Sequence, residues 1–146
     1  MTYKVLSSLT ANNVNSADIL KVKTDLLIIG VNKKTSSASE LKDLKSSSNS
    51  MIGESMNEIN NGTRKSIFLP APAKIGAKNI LLIKEPEVDA ASFLVIRHFE
   101  EIMGMIKSSK SKDFAFLMSS ATPKKVDLNW MSEIAARTFE AAAYTF

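Results

Sequence analysis

The run Leu26-Leu27-Ile28-Ile29 constrains the fold most, because four consecutive apolar residues leave no polar face for solvent. A strand of this kind is typical of the centre of a parallel sheet whose two faces are both covered by helices. We predict a strand at Thr24–Val31. Gly30 and the polar stretch Asn32–Ser37 end it.

Apolar strands and amphipathic helices alternate along the rest of the chain. Four further strands are predicted at Tyr3–Leu9, Ser66–Pro70, Asn79–Lys84 and Asp113–Met118. Helices are predicted at Ser39–Ile59, with a break in its polar middle at Ser46–Ser50, at Asp89–Lys107, and from Asn129 to Phe146. This order predicts an α/β fold: a three-layer sandwich with a mostly parallel central sheet, similar to macro domains.

Composition excludes most catalytic machinery. The chain has 146 residues, 45% hydrophobic and 23% charged, which predicts one globular domain over residues 1–146. It has no cysteine, so disulfides, thiolate zinc sites and cysteine nucleophiles are excluded. His98 is the only histidine, which excludes a multi-histidine metal centre. We therefore predict no catalytic, cofactor-binding or metal residue in this chain.

The charge is mildly basic, with 19 Lys and Arg against 15 Asp and Glu and a net charge of +4. The lysines are scattered along the sequence at the ends of predicted elements, where they keep loops solvated. This pattern allows a nucleic-acid partner but does not favour one. No stretch is apolar enough to cross a membrane and no targeting segment is visible, so a cytoplasmic protein is predicted.

Three groups of residues in the sequence are candidate sites. Gly30-Val31-Asn32 follows a strand, where α/β folds place ligands, but these residues are also ordinary turn formers. His98 and Glu101 are neighbours on a helix and are predicted to be a solvated surface pair. Glu85 and Glu87 flank Pro86, where solvated carboxylates are expected. The five glycines form neither a dinucleotide-binding motif nor a P-loop.

The C-terminal segment 135–146 is nearly apolar around the whole helical wheel. Such a helix is normally buried on all sides, so we expect that the chain was cut from a longer protein at this point. In the chain alone, Phe139, Tyr144 and Phe146 are predicted to lie partly exposed or to take part in a crystal or dimer contact that replaces the missing domain.

The order of these segments resembles the N-terminal domain of the leucyl (cytosol) aminopeptidases over essentially the whole chain. The resemblance rests on Asp25 with its apolar run to Val31, and on Gly62–Pro70, a loop with glycine that leads into a short apolar strand and its proline. Ala77–Ile83 is a lysine-preceded apolar strand, and Glu140–Phe146 is an Ala-rich segment ending in Tyr-x-Phe.

The resemblance implies that this chain is the non-catalytic N-terminal domain of a hydrolase. The parent metallopeptidase would remove N-terminal residues from peptide substrates, with two divalent metal ions, Mn or Zn, in a catalytic domain absent from this chain. The domain would support hexamer assembly and active-site access, and would join its catalytic domain through the helix ending at Phe146. No catalytic or metal residue can be carried over.

Two alternatives to an aminopeptidase domain stay open. The first is a macro-like binding or interaction module with a nucleic-acid or protein partner and no peptidase activity. The second is a free-standing structural protein whose terminal helix docks on a partner.

Overall fold

A computed structural model describes residues 21, 23–32, 51–85, 92–117 and 128–144. The four described strands are β1 Leu26–Val31, β2 Ser66–Pro70, β3 Asn79–Lys84 and β4 Phe114–Leu117. The three described helices that carry the packing are α1 Met51–Asn60, α2 Ser92–Ser108 and α3 Leu128–Tyr144.

The described strands form one sheet in the order β2-β3-β1-β4. β1 lies parallel to both β3 and β4, and β2 is antiparallel to β3, which confirms the mostly parallel central sheet. β1 is buried at all six positions, as its apolar run predicts. We call the side where β1, β3 and β4 end the carboxyl edge, and the side where they begin the amino edge.

Helices cover both faces of the sheet, which confirms the three-layer α/β architecture. Alternate strand residues point to opposite faces, so neighbouring apolar positions of β1 enter different cores. The core on the α1 face contains Leu27, Ile29, Ile52, Met56, Ile59, Ile80 and Leu82. The core on the face of α2 and α3 contains Leu26, Ile28, Leu81, Val95, Phe99, Ile102, Phe114 and Phe139.

The element bounds agree closely with the sequence predictions where the chain is described. β2 and β3 have the predicted bounds, and α1 ends at Asn60, one residue after the predicted end at Ile59. Gly62 has φ 79°, its N–H donates to Ile59, and the next N–H donates to Glu58, which together close the last turn of α1. The predicted strand at 3–9 and the predicted helix break at 46–50 lie outside the described residues.

The helix α3 has a polar outer face, although the sequence predicts a segment that is nearly apolar on all sides. Ala135 and Phe139 are buried against α2, whereas Glu133 and Arg137 are exposed and form an ion pair one turn apart. The prediction that Phe139 lies partly exposed is therefore wrong, because the ring packs edge-to-face against Phe99 inside the core. Phe146 and the side chain of Tyr144 lie outside the described residues.

A hydrogen-bonded network joins the starts of the parallel strands. The Asp113 carboxylate accepts hydrogen bonds from the Thr24 hydroxyl at 2.8 Å and from the Asp25 N–H at 2.6 Å. The Asp25 carboxylate accepts one from the Lys112 N–H at 2.8 Å and lies 3.1 Å from Lys78 Nζ. The Lys112 N–H and then the Lys78 ammonium hold the pKa of the Asp25 carboxyl below its usual value.

In the described part of the chain, no helix is long and apolar enough to span a membrane.

Candidate ligand-binding site

Glu85 is the first residue after β3, at the carboxyl edge. Its N–H donates to the Val31 carbonyl at 3.0 Å, which places Glu85 beside the end of β1. Its side chain is only 3% exposed, so the prediction of a solvated carboxylate is wrong. A carboxylate next to Pro86 is expected to be solvated, but the backbone hydrogen bond to Val31 draws Glu85 into the interior.

His98 lies on α2 and is also buried, at 8% exposed. It precedes the core residue Phe99, and the two rings lie 5.6 Å apart between centroids. Glu101 is exposed on the same helix, so the predicted solvated pair of His98 and Glu101 is wrong. Residues three apart on a helix differ by about 60° around its axis, enough for one to face the sheet and the other to face solvent.

The structure instead brings His98 to Glu85, thirteen positions earlier in the chain. His98 Nε2 lies 3.8 Å from Glu85 Oε2, which is too long for a hydrogen bond. Both His98 Nε2 and Glu85 Oε1 are buried without a hydrogen-bond partner in the described structure. A buried polar atom left unsatisfied costs about 1–3 kcal/mol, so this arrangement does not serve the stability of the fold.

The two unpartnered atoms of this pair can form hydrogen bonds with a polar group. Among the described residues no group of three or more His, Cys, Asp or Glu could hold a metal ion. The pair has no cysteine near it, because the chain has none. Glu85 Oε1 can accept an N–H or O–H group, and His98 Nε2 can exchange a hydrogen bond with a polar ligand atom.

The other candidates from the sequence fall around the same edge. Gly30-Val31-Asn32 ends β1, and the Val31 carbonyl holds Glu85 in place, so this segment adjoins the pair. Glu87 lies outside the described residues. The sequence reading missed the pairing of Glu85 with His98. Its only available signal was a carboxylate placed directly after a buried strand.

Comparisons with known proteins define the fold class. No family model matches the chain, and no curated protein matches it. The macrodomain of Mycobacterium tuberculosis DarG is similar in structure, with a TM-score of 0.66 and 14% identity over 86% of this chain and 87% of that one. A point mutant of the Oceanobacillus iheyensis macrodomain is similar with a TM-score of 0.64 and 13% identity, over 86% of this chain and 73% of that one. The chain therefore has a macrodomain-like α/β fold.

These neighbours correct the predicted family. The resemblance to leucyl aminopeptidases is wrong, and with it the metallopeptidase parent, its hydrolase activity and its peptide substrate. The partners drawn from it, a catalytic domain joined through the helix ending at Phe146 and a hexamer, are not supported either. Apolar strands and an Ala-rich helix arise from packing helices on a parallel sheet, so they occur in many α/β domains whatever their activity.

Proposed function

We propose that this protein is a macrodomain-like binding module that takes a small polar ligand at the carboxyl edge of its sheet. The observation that carries the proposal is the buried pair of Glu85 and His98, in which Glu85 Oε1 and His98 Nε2 have no hydrogen-bond partner in the described structure. Open α/β sheets bind ligands outside the carboxyl ends of their strands, which is where this pair lies.

The edge favours a ligand that combines hydrogen-bond donors with negative charge. Glu85 Oε1 would accept a hydrogen bond from an amino or hydroxyl group of the ligand. α2 spans Ser92–Ser108, and the residues after it, up to Asp113, lead into the start of β4 at the amino edge. The N-terminal end of α2 is therefore directed to the carboxyl edge. The N-terminal end of a helix favours phosphate groups.

A nucleoside diphosphate derivative such as ADP-ribose has both properties. Its amino and hydroxyl groups are donors, and its pyrophosphate carries the charge. The similarity of the fold to macrodomains supports the same choice. We therefore propose ADP-ribose as the first ligand to test.

Isothermal titration calorimetry with ADP-ribose tests the proposal. We expect saturable binding to the wild-type protein. Glu85→Gln keeps the shape of the side chain but replaces the carboxylate, and it should weaken binding about tenfold or more, since a hydrogen bond to a charged group contributes about 1.5–3 kcal/mol. His98→Ala should also weaken binding.

The matched control is Glu101→Gln, the same exchange at an exposed position of α2. It should leave the affinity unchanged. Absence of binding by the wild-type protein at millimolar ADP-ribose, or equal affinity of Glu85→Gln and wild type, would contradict the proposal.

Three further predictions from the sequence accompany this function. A cytoplasmic location stays a proposal from the sequence, as does the reading of residues 1–146 as one domain. The prediction that the chain carries no resident cofactor also stays a prediction.

A further inference from the structure

Lysines that are scattered in the sequence gather at the amino edge of the sheet. Three segments lead into the parallel strands: residues 21 and 23–25 before β1, 71–78 before β3 and 107–113 before β4. Because these strands are parallel, the segments meet on one side of the molecule. Their exposed lysines are Lys21, Lys23, Lys74, Lys78, Lys110 and Lys112.

Direct contacts show that the three segments adjoin one another. The Lys78 N–H donates to the Thr24 carbonyl at 3.0 Å, which joins the segments before β3 and β1. The Asp25 carboxylate accepts the Lys112 N–H at 2.8 Å, which joins the segments before β1 and β4. Neighbouring strands lie about 4.8 Å apart, so the strand starts span about 10 Å.

The acidic residues described in these segments do not cancel the charge. They are Asp25 and Asp113, and both are engaged in the network between the segments. Asp25 offsets Lys78, whose side chain is nevertheless 76% exposed. The surface formed by the six lysines, which we call the basic edge, therefore carries an excess of positive charge that the linear sequence does not reveal.

The side chains other than lysine in these segments indicate which kind of anionic partner fits the basic edge. The only large apolar side chain described in the three segments is Ile75, and it is buried. A membrane-binding surface needs apolar or aromatic side chains to insert, and a single-strand-binding surface needs exposed aromatic rings for stacking. Lysines alone suit the regularly spaced phosphates of a duplex.

We propose that the basic edge binds the phosphate backbone of double-stranded nucleic acid without sequence preference. The surface lies on the side of the sheet opposite Glu85 and His98, so this binding is independent of the ligand proposed above. Sequence order alone favours scattered, solvated lysines, and the parallel topology changes that interpretation.

Fluorescence anisotropy with a labelled duplex, DNA in one arm and RNA in the other, tests the proposal. If about four phosphates are neutralised, a plot of log K against log salt concentration should have a slope of about −3.6. The variant Lys74→Gln, Lys110→Asn, Lys112→Gln should weaken binding at about 50 mM salt by tenfold or more and make the slope shallower by about 2.7. Asn is chosen at Lys110 because that residue has φ 57°, which asparagine tolerates.

The matched control is Arg64→Gln, Lys65→Gln, Lys84→Gln. It removes the same charge from exposed positions at the carboxyl edge. The control should change duplex affinity less than about twofold, since distant surface charges are screened by salt. Equal losses in both triple variants would show that only net charge matters and would overturn the proposal.

Three further arms keep the result decisive. Binding to anionic lipid vesicles in place of either duplex would overturn the proposal in favour of a membrane surface. The double variant Lys23→Gln, Lys74→Gln gives a second test if the triple variant fails to fold, and it should also weaken duplex binding. Glu85→Gln should retain full duplex affinity, so failure of the small-ligand proposal and failure of this one are distinguishable.

Discussion

Replacing Glu85 by Met and His98 by Leu together should stabilise the protein and abolish ligand binding. Two buried polar atoms of this pair lack partners, and each such atom costs about 1–3 kcal/mol. Apolar side chains of similar size remove that cost, although their imperfect packing cancels part of the gain in stability. We expect the free energy of unfolding to rise by about 1–3 kcal/mol, with Tm rising about 2–4 °C for each kcal/mol.

Urea unfolding monitored by circular dichroism measures the gain in the free energy of unfolding, and calorimetry with ADP-ribose measures the loss of binding. Glu101→Met, an exposed site on the same helix as His98, is the control and should change stability by less than about 0.5 kcal/mol. A double variant that loses more than about 1 kcal/mol would show that the pair stabilises the fold, and the reasoning would be refuted. Retained ligand affinity in that variant would refute the assignment of the site.

Three further predictions concern the fold. Phe99→Ala, which removes a fully buried ring, should cost about 3–5 kcal/mol in urea unfolding, whereas Phe68→Ala at a 48% exposed position should cost less than about 0.5 kcal/mol. Because the pKa of Asp25 is lowered by folding, its stabilising contribution is complete above its unfolded pKa of about 4 and is lost as pH falls through the lower folded value. The stability difference between wild type and Asp25→Asn should therefore stay constant from about pH 5 to 7 and shrink in unfolding curves below about pH 4. Gly62→Ala should destabilise by about 1 kcal/mol because φ is 79° there, while Gly104→Ala, within a helix and with open space at its Cβ, should stabilise by about 0.5–1 kcal/mol in thermal melts.

The sequence determined the elements and their faces, because periodicity is a local property. The unbroken apolar run of β1 predicted a strand buried on both faces, and the alternation of strands with helices predicted the three layers. Val95, Phe99 and Ile102 recur at steps of four and three, a spacing that predicts the face of α2 that packs on the sheet. The same local patterns could not determine the family, since many α/β domains share them.

Only the tertiary structure decided which distant residues meet. Glu85 and His98 form a site because β3 ends beside β1 and α2 packs across that end, a relation between elements that no helical or strand period encodes. His98 sits at the margin of the apolar face of α2, where the sequence pattern fits either a solvated or a buried side chain. The basic edge likewise exists because three strands run parallel, so that segments far apart in the chain begin on the same side. Periodicity reports which residues share a face, whereas a site depends on the packing of one face against another.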